Sequence, residues 1–279
     1  MTNAPAARTP QTPDEQFAYF HERRELAVVQ PQGSLALTTT QMIDSEQTIW
    51  GIPGRWAPRA DGGSGVLLTA SASDGIQVDG VAVDGTVEVR GKDDPNPSNI
   101  RFSDTVTGFV IAQEGGFYAV RVFDAESEAI QNFGGIDAFP YDPSWVITAE
   151  WSLNPEGTTV GFEHIKDEGR TREEVVPGRI TFTRDGADYD LAAFKSGRAL
   201  QLVFADATNG ESTYSVGRFL FVAPNADGTI TLDFNRAVLP PCAFSYAFNC
   251  PMPPKQNRFP FSIEAGEKLP LDKAGAPLH

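Results

Sequence analysis

The chain has 279 residues, 41% of them hydrophobic, enough to bury an ordinary core in each of two domains. A net charge of −15 and a pI of about 4.6 argue against nucleic-acid binding and against adhesion to anionic membranes. Glycine and proline are abundant (26 and 21) while helix-period apolar stripes are scarce, the balance of a mainly β protein with many turns.

Residues 1–11 carry no pattern and are expected to be disordered. The opening "MTNAPAARTPQTPDEQ" has no apolar run, so no secretory signal or transmembrane segment is visible and a cytoplasmic location follows. "TPDEQFAYFHERRELAVV" predicts a helix within 12–30. Thr12 can cap it, Pro13 suits the first turn and Glu15 completes a capping box. Phe17 and Phe20 share a face and are expected to be buried on the N-terminal β domain.

That domain, an antiparallel sandwich, is placed at 31–135. "GVLLTASASDGIQVDGVAVDGTVEVRG" reads as short strands joined by Asp-Gly turns at Asp74, Asp79 and Asp84. A calcium-binding repeat would use the same pairs, but tight turns alone account for them. "GFVIAQEGGFYAVRVFD" predicts a hairpin turning at Gly115 and Gly116. "IDAFPYDPSW" (136–145) is read as a linker. From 146 to 267, "WVITAEWSL", "TTVGFEHI", "GRITFTRDGADYDLAAF", "ALQLVFAD", "GRFLFVAP" and "GTITLDF" predict a second antiparallel domain, a sandwich or barrel, before a loose tail at 268–279.

Familiar catalytic signatures are absent. There is no phosphate loop of the Gly-x-x-x-x-Gly-Lys type and no Gly-x-Ser-x-Gly elbow. Two cysteines and three histidines (His21, His164 and His279) make a structural zinc site improbable. No metal, cofactor or catalytic residue is implied, and the oligomeric state is left open.

The densest stretch is 233–259, and it overlaps a charge-balanced island at 204–258. The island's four basic residues (Arg218, Arg236, Lys255, Arg258) balance its four acidic ones (Asp206, Glu211, Asp227, Asp233), so the rest of the chain carries the whole negative charge. Arginine forks bind carboxylate or phosphate, so such an island can hold a small anionic molecule, with Arg218 and Arg236 meeting in one pocket. The same residues can instead pair with Asp206 and Asp233 and brace the loop above them.

That loop, "LPPCAFSYAFNCPMPPKQNRF", contains Pro240, Pro241, Pro251, Pro253 and Pro254, which remove backbone donors and forbid a regular ladder. It is expected to be a packed cover whose bare carbonyls take donors from Asn235, Arg236, Asn257 and Arg258. Cys242 and Cys250, with seven residues between them, can lie close enough for a disulfide, although reduced buried thiols suit a cytoplasmic protein better.

"FADATNGESTYSVGRFL", "LDFNRAVLPPCAFSYAFNCPMPPKQNRF" and "IEAGEK" resemble the bacterial and archaeal family catalogued as Domain of Unknown Function 1684. "HERRELAVVQPQGSLAL", "GFYAVRVFDAES" and "FPYDPSWVITAEW" extend the likeness over about residues 15–268. The resemblance marks Asp206, Thr208, Thr213, Tyr214, Arg218, Asp233, Asn235, Arg236, Cys242, Cys250, Asn257 and Arg258 as the family's polar positions. It implies no activity. Departures are Ser215 and Val216 in place of a glycine run, Leu239 before the two prolines, and missing aromatics after Gly33.

"IWGIPGRW" and "VDGVAVDG" give the N-terminal half a weaker resemblance to the forkhead-associated fold. That module's phosphothreonine-reading histidine has no counterpart between His21 and His164. Three functions are therefore weighed: binding of a small carboxylate or phosphate by Asp206, Thr208, Tyr214, Arg218, Asp233, Asn235, Arg236, Asn257 and Arg258; a hydrolytic or redox enzyme using that pocket; and an interaction scaffold without a ligand.

Overall fold

In a computed structural model of the chain, residues 12–167 and 171–278 are described, so the disorder expected of 1–11 lies outside them. The fold is mainly β, built of antiparallel sheets, with one long helix near its start. Among the described residues no sheet closes into a barrel, and no helix is long and apolar enough to cross a membrane.

Helix α1 (Pro13–Val28) begins as its local chemistry requires. The Glu15 N–H donates to Thr12 Oγ1 and the Thr12 N–H to Glu15 Oε2, both at 3.2 Å, closing the capping box. The expected burial of Phe17 and Phe20 does not occur: both are half-buried, and Val28 is the helix's one buried residue. Their partners also differ from the expectation. As far as Leu26 the helix belongs to the C-terminal unit, where Phe17 lies 6.1 Å from the Tyr141 ring and Arg236 sits 5.6 Å over Phe20.

Polar reach holds this helix. Arg24 donates to both oxygens of Glu267 at 2.7 and 3.1 Å, and the Ile136 N–H donates to Glu25 at 2.9 Å. Glu267 is 2% exposed and also accepts the Leu239 N–H at 2.7 Å.

The N-terminal unit comprises Ala27–Asn132 together with Phe244–Phe248. Its strands are β1 (Leu37–Ile43), β2 (Arg55–Pro58), β3 (Val66–Ala70), β4 (Gln77–Val78), β5 (Val81–Ala82), β6 (Gly85–Val89), β7 (Ile100–Arg101), β8 (Val106–Ala112) and β9 (Tyr118–Asp124), followed by the short helix α2 (Glu128–Asn132). They form a six-stranded sheet, β1-β9-β8-β7-β4-β5, and a three-stranded sheet, β2-β3-β6. Trp56, Leu68 and Val89 from the small sheet meet Ile43, Ile100, Val110 and Val120 from the large one in a single core.

Asp79 (φ 53°) and Gly80 (φ 82°) make the two-residue turn between β4 and β5. The Asp79 carboxylate accepts from Arg90, Ser98 and the Asn99 N–H, which is loop bracing. Gly115 and Gly116, both at positive φ, turn the β8–β9 hairpin as expected.

The C-terminal unit holds α1 up to Leu26, Phe133–Ala243 and the residues from Asn249 onward. Its strands are β10 (Phe133–Ala138), β11 (Val146–Phe162), β12 (Arg172–Arg184), β13 (Ala187–Ala192), β14 (Phe194–Ser196), β15 (Ala199–Phe204), β16 (Arg218–Val222), β17 (Thr229–Asp233) and β18 (Glu267–Asp272). Three sheets result, ordered β13-β12-β11-β17, β14-β15-β16 and β10-β18. Asp185 (φ 51°) and Gly186 (φ 78°) turn β12 into β13. The core gathers Ile180, Leu191, Leu202, Phe204, Leu220, Leu232 and Phe234 with Phe259 and Ile263 from the irregular C-terminal segment.

Two boundaries differ from expectation. The linker expected at 136–145 begins inside β10, and the loose tail expected from 268 is largely β18, paired with β10 from Ala138↔Glu267 to Phe133↔Asp272. "EKLPLD" alternates too weakly to announce a strand; its pairing with a segment more than a hundred residues earlier makes it one.

Arg24→Met should cost about 3 kcal/mol, because it strands a buried carboxylate. Phe20→Ala should cost only about 1 kcal/mol, because its ring is half-exposed. Urea unfolding of both variants checks the order.

Candidate functional site

Strand β15 ends at Phe204, and the next ten residues fold onto their own side chains. Asp206 Oδ1 accepts the Thr208 N–H at 2.9 Å and its hydroxyl at 2.6 Å. Asn209 Oδ1 accepts the Asp206 N–H at 2.6 Å, while Asn209 Nδ2 donates to the Tyr214 carbonyl at 2.7 Å. The hydroxyls of Thr208 and Thr213 lie 2.8 Å apart. Small oxygen-bearing side chains that bond nearby backbone are what such a turn requires.

Arg218 opens β16, and its side chain is wholly buried, as is that of Asp206. Nη2 donates to Asp206 Oδ2 at 2.7 Å and to the Ile263 carbonyl at 2.8 Å. Nη1 donates to the carbonyls of Ala265 and Glu267 at 2.5 and 3.3 Å. Asp206 Oδ1 also accepts the Ile263 N–H at 3.2 Å. Burial pulls the guanidinium below its ordinary pKa while Asp206 opposes the shift; an arginine nevertheless stays charged in a protein.

Two glycines let the backbones approach. Gly217 has φ 120°, and a Cβ there would lie 2.4 Å from the Phe204 carbonyl oxygen. Gly266 has φ 79°, and a Cβ there would meet the Ala237 and Phe234 carbonyls at 2.6 and 2.7 Å.

The asparagines do similar work. Asn257 Oδ1 accepts the Ala192 N–H at 2.9 Å, and its Nδ2 donates to the carbonyls of Ala192 and Val203 at 2.7 and 2.8 Å. Asn235 accepts the Asp142 N–H and donates to the Asp142 carbonyl, both at 2.9 Å, and its Nδ2 also donates to Asp233 at 3.0 Å. Each amide stands in for a missing strand partner.

These contacts correct the expected cover loop in part. Arg258 does serve it, donating from Nε to the Pro253 carbonyl at 3.1 Å. Asn235 and Asn257 bond other segments. Arg236 lies 3.4 Å from Asp233 with its side chain 48% exposed. The Tyr214 hydroxyl donates to the Cys242 carbonyl at 3.2 Å, a role its sequence position did not announce. Cys242 and Cys250 are buried thiols not joined in a disulfide, and the Cys242 N–H donates to Cys250 Sγ at 3.2 Å.

The structure thus brings Asp206, Thr208, Tyr214 and Arg218 together around the 206–214 turn. It does not bring Arg236 to Arg218 in a shared pocket: Arg218 is buried with both terminal nitrogens bonded to its own chain, and Arg236 lies half-exposed beside Asp233. A hollow of about 520 Å³ on the face of β11–β13 includes Glu150, Asp188, Asp190 and Arg179 and involves neither arginine of the expected pair. With Arg179 bonded to Asp190 at 3.1 Å, that hollow is acidic and ill-suited to an anion.

Sequence reasoning missed Glu267, whose only signal was its place in "IEAGEK", and the cluster at Asp167. The Asp167 carboxylate accepts from Arg172 at 2.6 and 2.7 Å, the His164 N–H at 3.1 Å and Asn249 at 3.3 Å. His164 Nδ1 lies 3.4 Å from it. Arg172 above all, then the His164 N–H and Asn249, hold its carboxyl well below the usual range, and burial opposes them.

A family model described as "Protein of unknown function (DUF1684)" matches residues 131–268. Among solved structures, the chain is similar to an uncharacterized protein of Haloarcula marismortui determined by solution NMR. Identity is 34%, over 49% of this chain and 77% of that one, with a TM-score of 0.40. The comparison with curated proteins gives no match.

Two variants follow from these bonds. Arg218→Leu leaves Asp206 charged and buried and bares three carbonyls, so it should cost about 3–5 kcal/mol; wild-type stability in thermal unfolding followed by circular dichroism would refute the brace. Asp167 has a lowered folded pKa, so its stabilisation is complete above the unfolded value of about 4 and is lost as pH falls. The stability gap between wild type and Asp167→Asn should accordingly narrow from pH 7 towards pH 2.

Proposed function

The chain belongs to the DUF1684 family, whose description names no activity, and from the geometry of its motif we propose that the protein is a non-catalytic interaction scaffold. The observation that carries this reading is the complete burial of Arg218, with both terminal nitrogens bonded to Asp206 and backbone carbonyls. An anion binder needs donors facing solvent or a cavity, and an enzyme needs an acid or base within reach of substrate. Asp206 has its carboxylate occupied by Arg218, Thr208 and Ile263.

On this reading the work is done at the surface. Trp50 of the N-terminal unit is 89% exposed, a side chain of the kind that anchors protein interfaces. Binding of a small carboxylate or phosphate is the second reading, and the half-exposed guanidinium of Arg236 favours it.

Native mass spectrometry of the purified protein should find no retained anion. Inorganic phosphate and acetate should shift thermal unfolding no more than chloride at equal ionic strength. A saturable shift that disappears in Arg236→Leu would replace the scaffold with the anion site.

A further inference from the structure

The proline-rich segment gathers more chemistry than a cover needs. Five prolines between 240 and 254 restrict its backbone, so the positions of its side chains are largely set before any contact forms. At its base the two cysteines of the protein meet. The Cys242 N–H donates to Cys250 Sγ at 3.2 Å, and the Tyr214 hydroxyl donates to the Cys242 carbonyl at 3.2 Å. No disulfide joins them, and they are only 2% and 4% exposed.

We propose that Cys242 and Cys250 form a reversible dithiol–disulfide pair, oxidised by a hydroperoxide and reduced again by an external dithiol.

The Cys250 sulfur already touches the Cys242 backbone N–H, so closing the bond asks for side-chain rotation rather than a rearrangement of the loop. Cys242 is the attacking group. Hydrogen bonds from Cys250, then from Tyr214 and nearby N–H groups, favour its thiolate and draw its pKa below the ordinary thiol value against the opposing effect of burial. Its sulfur attacks one peroxide oxygen and the O–O bond breaks. The departing hydroxide takes the thiol's proton and leaves as water, and Cys242 becomes a sulfenic acid. Cys250 then attacks that sulfur, the S–O bond breaks, and hydroxide leaves with the Cys250 proton as a second water. Two thiols and one hydrogen peroxide thus give one disulfide and two waters.

The placement gives the bond a consequence. Both cysteines belong to the C-terminal unit, whereas Phe244–Phe248 between them belong to the N-terminal one. There Ser245 donates to the Leu37 carbonyl at 2.6 Å, and Phe248 packs with Ala36, Leu37 and Phe123. A disulfide would tie the two stems of this inserted segment covalently.

The test treats the full-length wild-type protein with stoichiometric hydrogen peroxide and reads intact mass after alkylation. Both thiols should disappear together, the mass should fall by two hydrogen atoms, peptide mapping should find one intramolecular Cys242–Cys250 link, and dithiothreitol should restore both thiols. In Cys250→Ser, dimedone should trap a sulfenic acid on Cys242; Cys242→Ser should react roughly tenfold more slowly than wild type. Thiols that resist peroxide until denaturant is added would overturn the proposal, as would over-oxidation to sulfinic acid without a link, or disulfides between molecules. The wild-type measurement decides even if a cysteine variant fails to fold.

Discussion

The C-terminal unit depends on one buried cation. Arg218 stands at the first residue of β16 with no exposed side-chain surface, and taking a guanidinium out of water costs several kcal/mol unless its donors are met. Here one carboxylate and three carbonyls meet those of the two terminal nitrogens, and only the buried Nε is left without a hydrogen bond. The carbonyls come from Ile263, Ala265 and Glu267, in a stretch that is irregular up to the start of β18 and needs side-chain donors for its buried backbone. The ion pair therefore does two things: it neutralises a buried charge, and it lets an irregular segment close over the ends of β15 and β16. Gly217 and Gly266 follow from the same demand, since both sit where a side chain would strike a carbonyl.

This explains why the motif reads as a ligand site. A guanidinium fork recognises a carboxylate or a cluster of carbonyls by the same geometry, whether they belong to a bound molecule or to the chain. Asparagine is equally ambivalent, and Asn235 and Asn257 each pair the N–H and carbonyl of one residue through both ends of the side chain. Burial, rather than residue type, separates the two uses.

The brace and the thiol pair are parts of one network. Asp206 holds Thr208, Thr208 meets Thr213, and Asn209 bonds the Tyr214 carbonyl. Tyr214 then reaches Cys242. A change of state at the cysteines would thus be felt at the same turn that positions Arg218, through hydrogen bonds between neighbouring side chains.

What the amino-acid sequence determined by itself is local. The capping box of α1, the Asp-Gly turn at Asp79, the β8–β9 hairpin and the alternating strands of both units depend on side chains a few residues apart, whose preferences survive in any context. The polar positions of the motif were legible too, as residue types. Their use was decided only in three dimensions, as were the partner of α1, the strand at Glu267–Asp272 and the assignment of Phe244–Phe248 to the N-terminal unit. Arg24 and Glu267 are 243 positions apart, and no local preference carries across such a distance. Long-range pairs form where buried charges and bare carbonyls find each other, and that is a property of the packed chain.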